Sequence, residues 1–189
     1  MIYIDDHIND FDLQTALAEI SRQRREQALN FKFEQGQRTC VLAYLLLKKA
    51  LREEYGLREN PEFEYGEHGK PAIVGHPEIH FNLSHCREAV VCVVSDRPVG
   101  VDVESVRKYE DSLVRYTMND QELAQIAAAE RPDAAFIRLW TMKEARLKLS
   151  GIGITNDVKS ALADAAALKF TTVERLDRNY IYTVCEEKV

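Results

Sequence analysis

Between residues 34 and 55, Val41, Leu42, Leu45, Leu46, Ala50 and Leu51 recur at helical spacing, and directly afterwards the apolar period falls to two. A chain that switches in this way must lay a long amphipathic helix on a sheet, because neither element buries its apolar face alone. PEFEYG (61–66), EIHFNLSH (78–85), AVVCVVSD (89–96) and VGVDVE (99–104) read as strands, parted by turns at GEHGKP, HCRE and DRP. Beyond residue 106 the helical period returns, most clearly over 119–130 and 134–149, and Gly151 and Gly153 are expected to end the second of these helices. Strands are expected near 168–174 and 180–185. In front lie a short strand at Ile2–Ile4 and a single helix over about 12–28, with Leu13, Leu17 and Ile20 on one face. Helices then a meander, twice over, describe an α+β fold of two packed halves, residues 1–97 and 98–189, although no residue-level repeat accompanies them.

Charge and composition exclude several function classes. The net charge is −6 from 25 Lys and Arg against 31 Asp and Glu, and both halves are mildly acidic, so no basic domain is present to hold a nucleic-acid backbone. No apolar stretch approaches the roughly 18 residues of a membrane helix. The opening MIYIDDHIND lacks the basic start and apolar run of a signal peptide, so a cytoplasmic location is expected. Cys40, Cys86, Cys92 and Cys185 form no CxxC pair or zinc spacing and are read as thiols.

Three constellations could carry chemistry. On the strand around Val99-Gly100-Val101-Asp102-Val103-Glu104, alternation puts Asp102 and Glu104 on one face, about 7 Å apart at Cα. Such a pair leaves coordination positions open for Mg²⁺ with phosphate oxygens, but alone it equally describes a solvated strand edge. In LWTMKEARLK (139–148), Trp140, Glu144 and Lys148 fall at i, i+4 and i+8 on one helical stripe. That stripe fits a metal ligand with a charge-stabilising cation, or an ordinary Glu–Lys pair beside a core tryptophan. Third, Gly69-Lys70-Pro71 shapes a turn that presents Lys70, and Ser84 and His85 end a strand where hydroxyl and imidazole can bind phosphate. A Ser-His-Asp hydrolase is disfavoured, because Ser84 and His85 are adjacent and project to opposite faces, and there is no nucleophile elbow.

Taken in order, GKP, FNLSHC, VGVDVE and WTMKEARLK with GIGI close behind resemble the 4′-phosphopantetheinyl transferase superfamily, in its two-half, surfactin-synthetase-activating type. The resemblance spans about residues 20 to 155 and implies a pseudo-dimer of two α+β halves. It implies transfer of the 4′-phosphopantetheine arm of coenzyme A to a serine of an apo-acyl or peptidyl carrier protein, with Mg²⁺ and release of adenosine 3′,5′-bisphosphate. It matches Asp102, Glu104 and Glu144 to metal-binding acids, with Glu144 also a candidate base, and Lys148 to a pyrophosphate contact and catalytic cation. Lys70, Ser84 and His85 match coenzyme A contacts, while Arg38 and Arg24 match basic residues near the nucleotide phosphates. The chain is short for the two-half type, and Cys86 stands where a small residue is expected. Both sets of residues lie in one chain, which implies a monomer; Arg107, Lys108 and Arg115 are candidates for meeting the carrier. Two alternatives stay open: a catalytically impaired carrier-binding module and, less in keeping with the charge, a metal-dependent nuclease.

Overall fold

The computed structural model describes residues 1–151 and 158–188. The expectation for Gly153 lies outside the described residues. The chain opens with β1 (Ile2–Asp5), three helices α1 (Leu13–Glu19), α2 (Arg22–Leu29) and α3 (Glu34–Tyr55), then β2 (Phe63–Tyr65), β3 (Pro71–Ile73), β4 (His80–His85) and β5 (Val90–Ser95). It continues with β6 (Val99–Ser105), three more helices α4 (Asp111–Thr117), α5 (Asp120–Ala128) and α6 (Pro132–Ser150), and closes with β7 (Leu168–Arg175) and β8 (Tyr180–Glu187).

Two three-stranded antiparallel sheets have the orders β1-β5-β4 and β6-β8-β7. Each is one strand, three helices, then a hairpin whose second strand lies in the middle. The small β2–β3 ribbon is an addition to the first set. The fold is α+β, as the change of period requires.

Each sheet buries one face under its own helices. In the first set Leu42, Leu46, Leu47 and Leu51 of α3 share a core with Val90, Cys92 and Val94 of β5 and Phe81 of β4. In the second, Phe136, Ile137 and Leu139 of α6 cluster with Met118 and with Ile181 of β8. The two sheets share a third core, in which Val91 and Val93 of β5 meet Val99, Val101 and Val103 of β6 and Tyr180, Tyr182 and Val184 of β8. Strands buried on both sides read as near-continuous apolar runs, which is why AVVCVV shows no alternation.

Two local expectations need correction. The single helix over 12–28 is two: Asp12 caps α1 by accepting from the Thr15 N–H, and Ser21 caps α2 by accepting from the Arg24 N–H, so the chain turns at Ile20–Ser21. A strand also follows the GKP turn, because Pro71-Ala72-Ile73 pairs with Phe63–Tyr65.

Candidate active site

The site forms where β6 meets α6, and a glycine permits the meeting. A Cβ at Gly100 would stand 2.0 Å from the Ala145 carbonyl oxygen and 2.5 Å from the Leu149 amide nitrogen. Only glycine lets the helix lie this close to the strand. The face of β6 that Gly100 opens also carries Asp102 and Glu104, so both acids point at the stripe of α6 bearing Trp140, Glu144 and Lys148. Strand period and helix period thus bring the two constellations together.

Lys148 Nζ lies 2.6 Å from Asp102 Oδ1 and donates to Ser84 Oγ at 3.0 Å. Ser84 donates to the same Asp102 oxygen at 2.9 Å. Asp102 is only 4% exposed and Glu144 9%. Asp102 Oδ2 and Glu144 Oε1 are buried without a hydrogen-bond partner among the described residues. A buried carboxylate oxygen left unpaired costs several kcal/mol unless the group neutralises or finds a cation. Burial and then the Asp102 charge push the Glu144 carboxyl up, against the pull of Lys148. The same causes drive Glu104 to about 7, partly offset by a hydrogen bond from Trp140. No three His, Cys, Asp or Glu side chains among the described residues form a ready-made metal cluster. The donors nonetheless suit one hard divalent cation, because two orphaned carboxylate oxygens and a third acid face one space, where Lys148, with Arg107 acting on Glu104, supplies compensating charge.

Two adjoining pockets share Leu83, Glu144 and Lys148 as a common wall. One, of about 380 Å³, holds Ser84, His85, Asp102, Glu104 and Trp140; the other, of about 290 Å³, holds His68, Gly69, Lys70, Pro71 and Asn82. Lys70 therefore lines the cleft, but its ammonium is engaged. It donates to the Leu149 carbonyl at 2.9 Å and the Val99 carbonyl at 3.4 Å, at the C-terminal end of α6 where a cation is favoured. Its stem packs on Gly151, which ends α6 at φ +71°, and burial lowers the Lys70 pKa. His85 sits at the exposed mouth. Desolvation, and then the Lys148 and Arg24 charges, hold its imidazole below the usual range. Arg24 is near enough to act on His85, although its Nε and Nη2 donate to the Cys40 carbonyl.

Arg38 is not brought to the acids. Its Nε donates to Glu34 at 2.7 Å and its Nη1 to the Phe11 carbonyl at 2.9 Å, with the guanidinium over the Phe11 ring, and it lines neither pocket. Among the carrier candidates, Arg107 lies over the Tyr109 ring, Lys108 lines a groove with Tyr109 and Asp111, and Arg115 sits in the last turn of α4.

One residue of the motif has an unforeseen task. Lys143 is wholly buried, 2.8 Å from Glu122 Oε2, and donates to the carbonyls of Thr117, Val158 and Lys159. It ties α6 to α4, α5 and the segment after residue 157. Its place beside Glu144 in the sequence gives no hint of this, since consecutive helical residues face different ways.

Fold and site define a two-sheet α+β protein whose cleft brings paired acids and a lysine together. Residues 98–188 match the family model described as "4'-phosphopantetheinyl transferase superfamily". The chain is 35% identical over 147 residues to the 4'-phosphopantetheinyl transferase psf-1 of Bacillus pumilus, covering 76% of this chain and 63% of that protein. It is 26% identical over 157 residues to the 4'-phosphopantetheinyl transferase Sfp of Bacillus subtilis (strain 168), covering 82% and 70%. With AcpT of Salmonella typhi it shares 37% over 115 residues, covering 54% and 59%. The chain thus spans some three fifths to seven tenths of the length of these relatives. Residues 98–188 resemble the 4′-phosphopantetheinyl transferase superfamily, and these relatives extend the resemblance over most of the chain.

Proposed function

We propose that this chain transfers the 4′-phosphopantetheine group of coenzyme A to a serine of an apo-acyl or peptidyl carrier protein, as an enzyme of the holo-[acyl-carrier-protein] synthase type. The observation that carries the reading is the convergence of Asp102, Glu144 and Lys148 in one pocket, with two carboxylate oxygens unpartnered. Relatives named for this activity support it. No helix among the described residues is long and apolar enough to cross a membrane. We place the reaction in the cytoplasm, in a monomer with one cleft between residues 1–97 and 98–189.

The carrier hydroxyl oxygen attacks the β-phosphorus of coenzyme A, a new phosphodiester bond forms, and the bond to the bridging oxygen breaks, releasing adenosine 3′,5′-bisphosphate. Asp102, Glu104 and Glu144 would hold Mg²⁺, which when bound neutralises charge on the pyrophosphate oxygens. Glu144 is suited to take the serine proton, since its free Oε1 faces the cleft and burial raises its affinity for a proton. Lys148 moves its contact from Asp102 to the departing phosphate as negative charge builds there. His85 lines the approach for phosphate, and Arg24 adds positive charge near it; Lys70, tied to the end of α6, shapes the neighbouring pocket. The Arg38 guanidinium would have to leave Glu34 to reach a nucleotide.

Incubation with Mg²⁺, coenzyme A and a panel of apo-carriers, read by intact mass, tests the reading. Addition of one phosphopantetheine to at least one carrier is expected. No addition to any carrier at high enzyme concentration would leave the carrier-binding module in its place.

A further inference from the structure

β4 and β6 are edge strands of different sheets, and they lie side by side without a backbone ladder. An edge strand presents a row of N–H groups that must find acceptors when buried. On β6 these are the amides of Val101 and Val103, both fully buried. Their acceptors are side chains. The Val101 N–H donates to Asn82 Oδ1 at 2.8 Å, and the Val103 N–H donates to Ser84 Oγ at 3.1 Å. Asn82 and Ser84 are two apart on β4, as Val101 and Val103 are on β6, so the strands run parallel and in step. Both acceptor residues are 7% exposed.

We propose that Asn82 and Ser84 are positioning residues, which fix the register of β6 against β4 and so hold Asp102, the residue between the two bonded amides, at the cleft. This deepens the transferase reading and rests on it for the role of Asp102. Ser84 is then a hub of the protein. Its hydroxyl accepts from Val103 and Lys148 and gives its one proton to Asp102 Oδ1. Asn82 Oδ1 has a similar task one step along the strand. Parallel edges slipped by one residue would turn Asp102 to the opposite face. Two side-chain bonds prevent that slip while leaving β4 and β6 unfused, and the cleft opens along this line.

The test compares Asn82→Leu and Ser84→Ala with Asn82→Asp and Ser84→Thr, which keep an acceptor. Two measurements are made on the full chain: amide exchange at Val101 and Val103, and binding of Mn²⁺ alone by water-proton relaxation. Asn82→Leu should speed exchange at Val101 by about tenfold or more, and Ser84→Ala should do so at Val103, since a net hydrogen bond is lost in each. Mn²⁺ affinity should fall by a similar factor in both and recover in Ser84→Thr. Unchanged exchange at these two amides overturns the proposal. Faster exchange with unaltered Mn²⁺ affinity overturns the positioning role and leaves only a structural one. Should Asn82→Leu not fold, the Ser84 pair decides alone. A parent protein that loads no carrier, yet shows both protected amides and Mn²⁺ binding that follow the variants as expected, removes the transferase reading and upholds this one.

Discussion

α3 and α6 hold the same place in the two sheets, each the third helix after the opening strand, yet they bury different chemistry. Beneath α3 lie Leu42, Leu46, Leu47 and Leu51 among apolar partners. The buried set of α6 includes Thr141, Lys143 and Glu144, with Lys148 half-buried beside them. One architecture thus supports an apolar core on one side and a charged cleft on the other. The cleft keeps two buried carboxylate oxygens without a hydrogen-bond partner among the described residues, which a proton or a cation could satisfy. Sites are commonly where local rules of burial are broken.

The sharpest way to break this comparison is to remove the charge from α6 and its strand. Asp102→Ala and Glu144→Ala should each lower carrier loading by about a thousandfold, because several kcal/mol of transition-state stabilisation go with each acid. The thermal melt of Glu144→Ala should match or exceed the parent's, since a buried acid with an unpaired oxygen is gone. Asp102→Ala also strips Lys148 and Ser84 of their acceptor and should melt somewhat lower while still folding. Near-normal turnover in either variant with Mg²⁺ present would show that the α6 face is not the site.

The next effect concerns a buried charge that belongs to the fold. Lys143→Met leaves Glu122 without its cation and three carbonyls without a donor, and should cost about 3–5 kcal/mol in denaturant unfolding. Leu47→Ala on α3 should cost a similar amount, about 2–5 kcal/mol, through a cavity. The two sides differ in rescue. Adding Glu122→Gln to Lys143→Met should restore a good part of the loss, whereas no charge change nearby should restore Leu47→Ala. A double variant no more stable than Lys143→Met alone would deny that the ion pair holds α5 to α6.

Gly100 sharpens the comparison further, because it sets how near α6 may come. Gly100→Ala forces the helix backbone away and should cost about 1–3 kcal/mol of stability. Loading should fall by about a hundredfold, more than that loss explains, since an ångström of displacement separates Glu144 and Lys148 from Asp102. An equal fall in stability and none in turnover would mean that the approach of helix to strand serves packing only.

How much of this was legible in the sequence follows from which facts are local. The facing of Asp102 with Glu104, and of Trp140 with Glu144 and Lys148, depends on two fixed periods, and both stripes lie where those periods put them. The long helices α3 and α6 were legible for the same reason. The break at Ile20–Ser21 was signalled by Ser21, a capping residue inside an apolar pattern that reads through it. Lys143 could not be read, because its acceptors come from three distant segments and a mid-helix lysine ordinarily faces water. The partners of Arg38 could not be read either: a basic residue near a helix start fits a phosphate, but its bonds to Glu34 one turn before it and to the remote Phe11 carbonyl are tertiary facts. The Asn82 and Ser84 bonds join strands of separate sheets, and no alternation within either strand records them.

The smallest effect is a pH dependence that the α3 side should lack. Glu104 ionises near pH 7 in the folded chain, because burial and the Asp102 charge oppose its carboxylate, whereas an unfolded glutamate ionises near 4.5. Between these values the folded state holds a proton that the unfolded state has lost, so stability falls as pH rises from about 4.5 to 7. The contribution is fully present below the unfolded value and gone above the folded one. Glu104→Gln removes it. In chelator, the variant should therefore unfold like the parent near pH 4.5 and be more stable at pH 8, by about 1–2 kcal/mol once solvent screening of a partly exposed carboxylate is allowed for. Mg²⁺ should erase the difference at pH 8 by stabilising the parent's carboxylate and not the amide. Leu47→Ala, measured alongside, should lose the same free energy at both pH values. A Glu104→Gln curve parallel to the parent from pH 4.5 to 8 would mean that this acid is solvated in the folded chain, and only Asp102 and Glu144 would then carry the buried charge of the cleft.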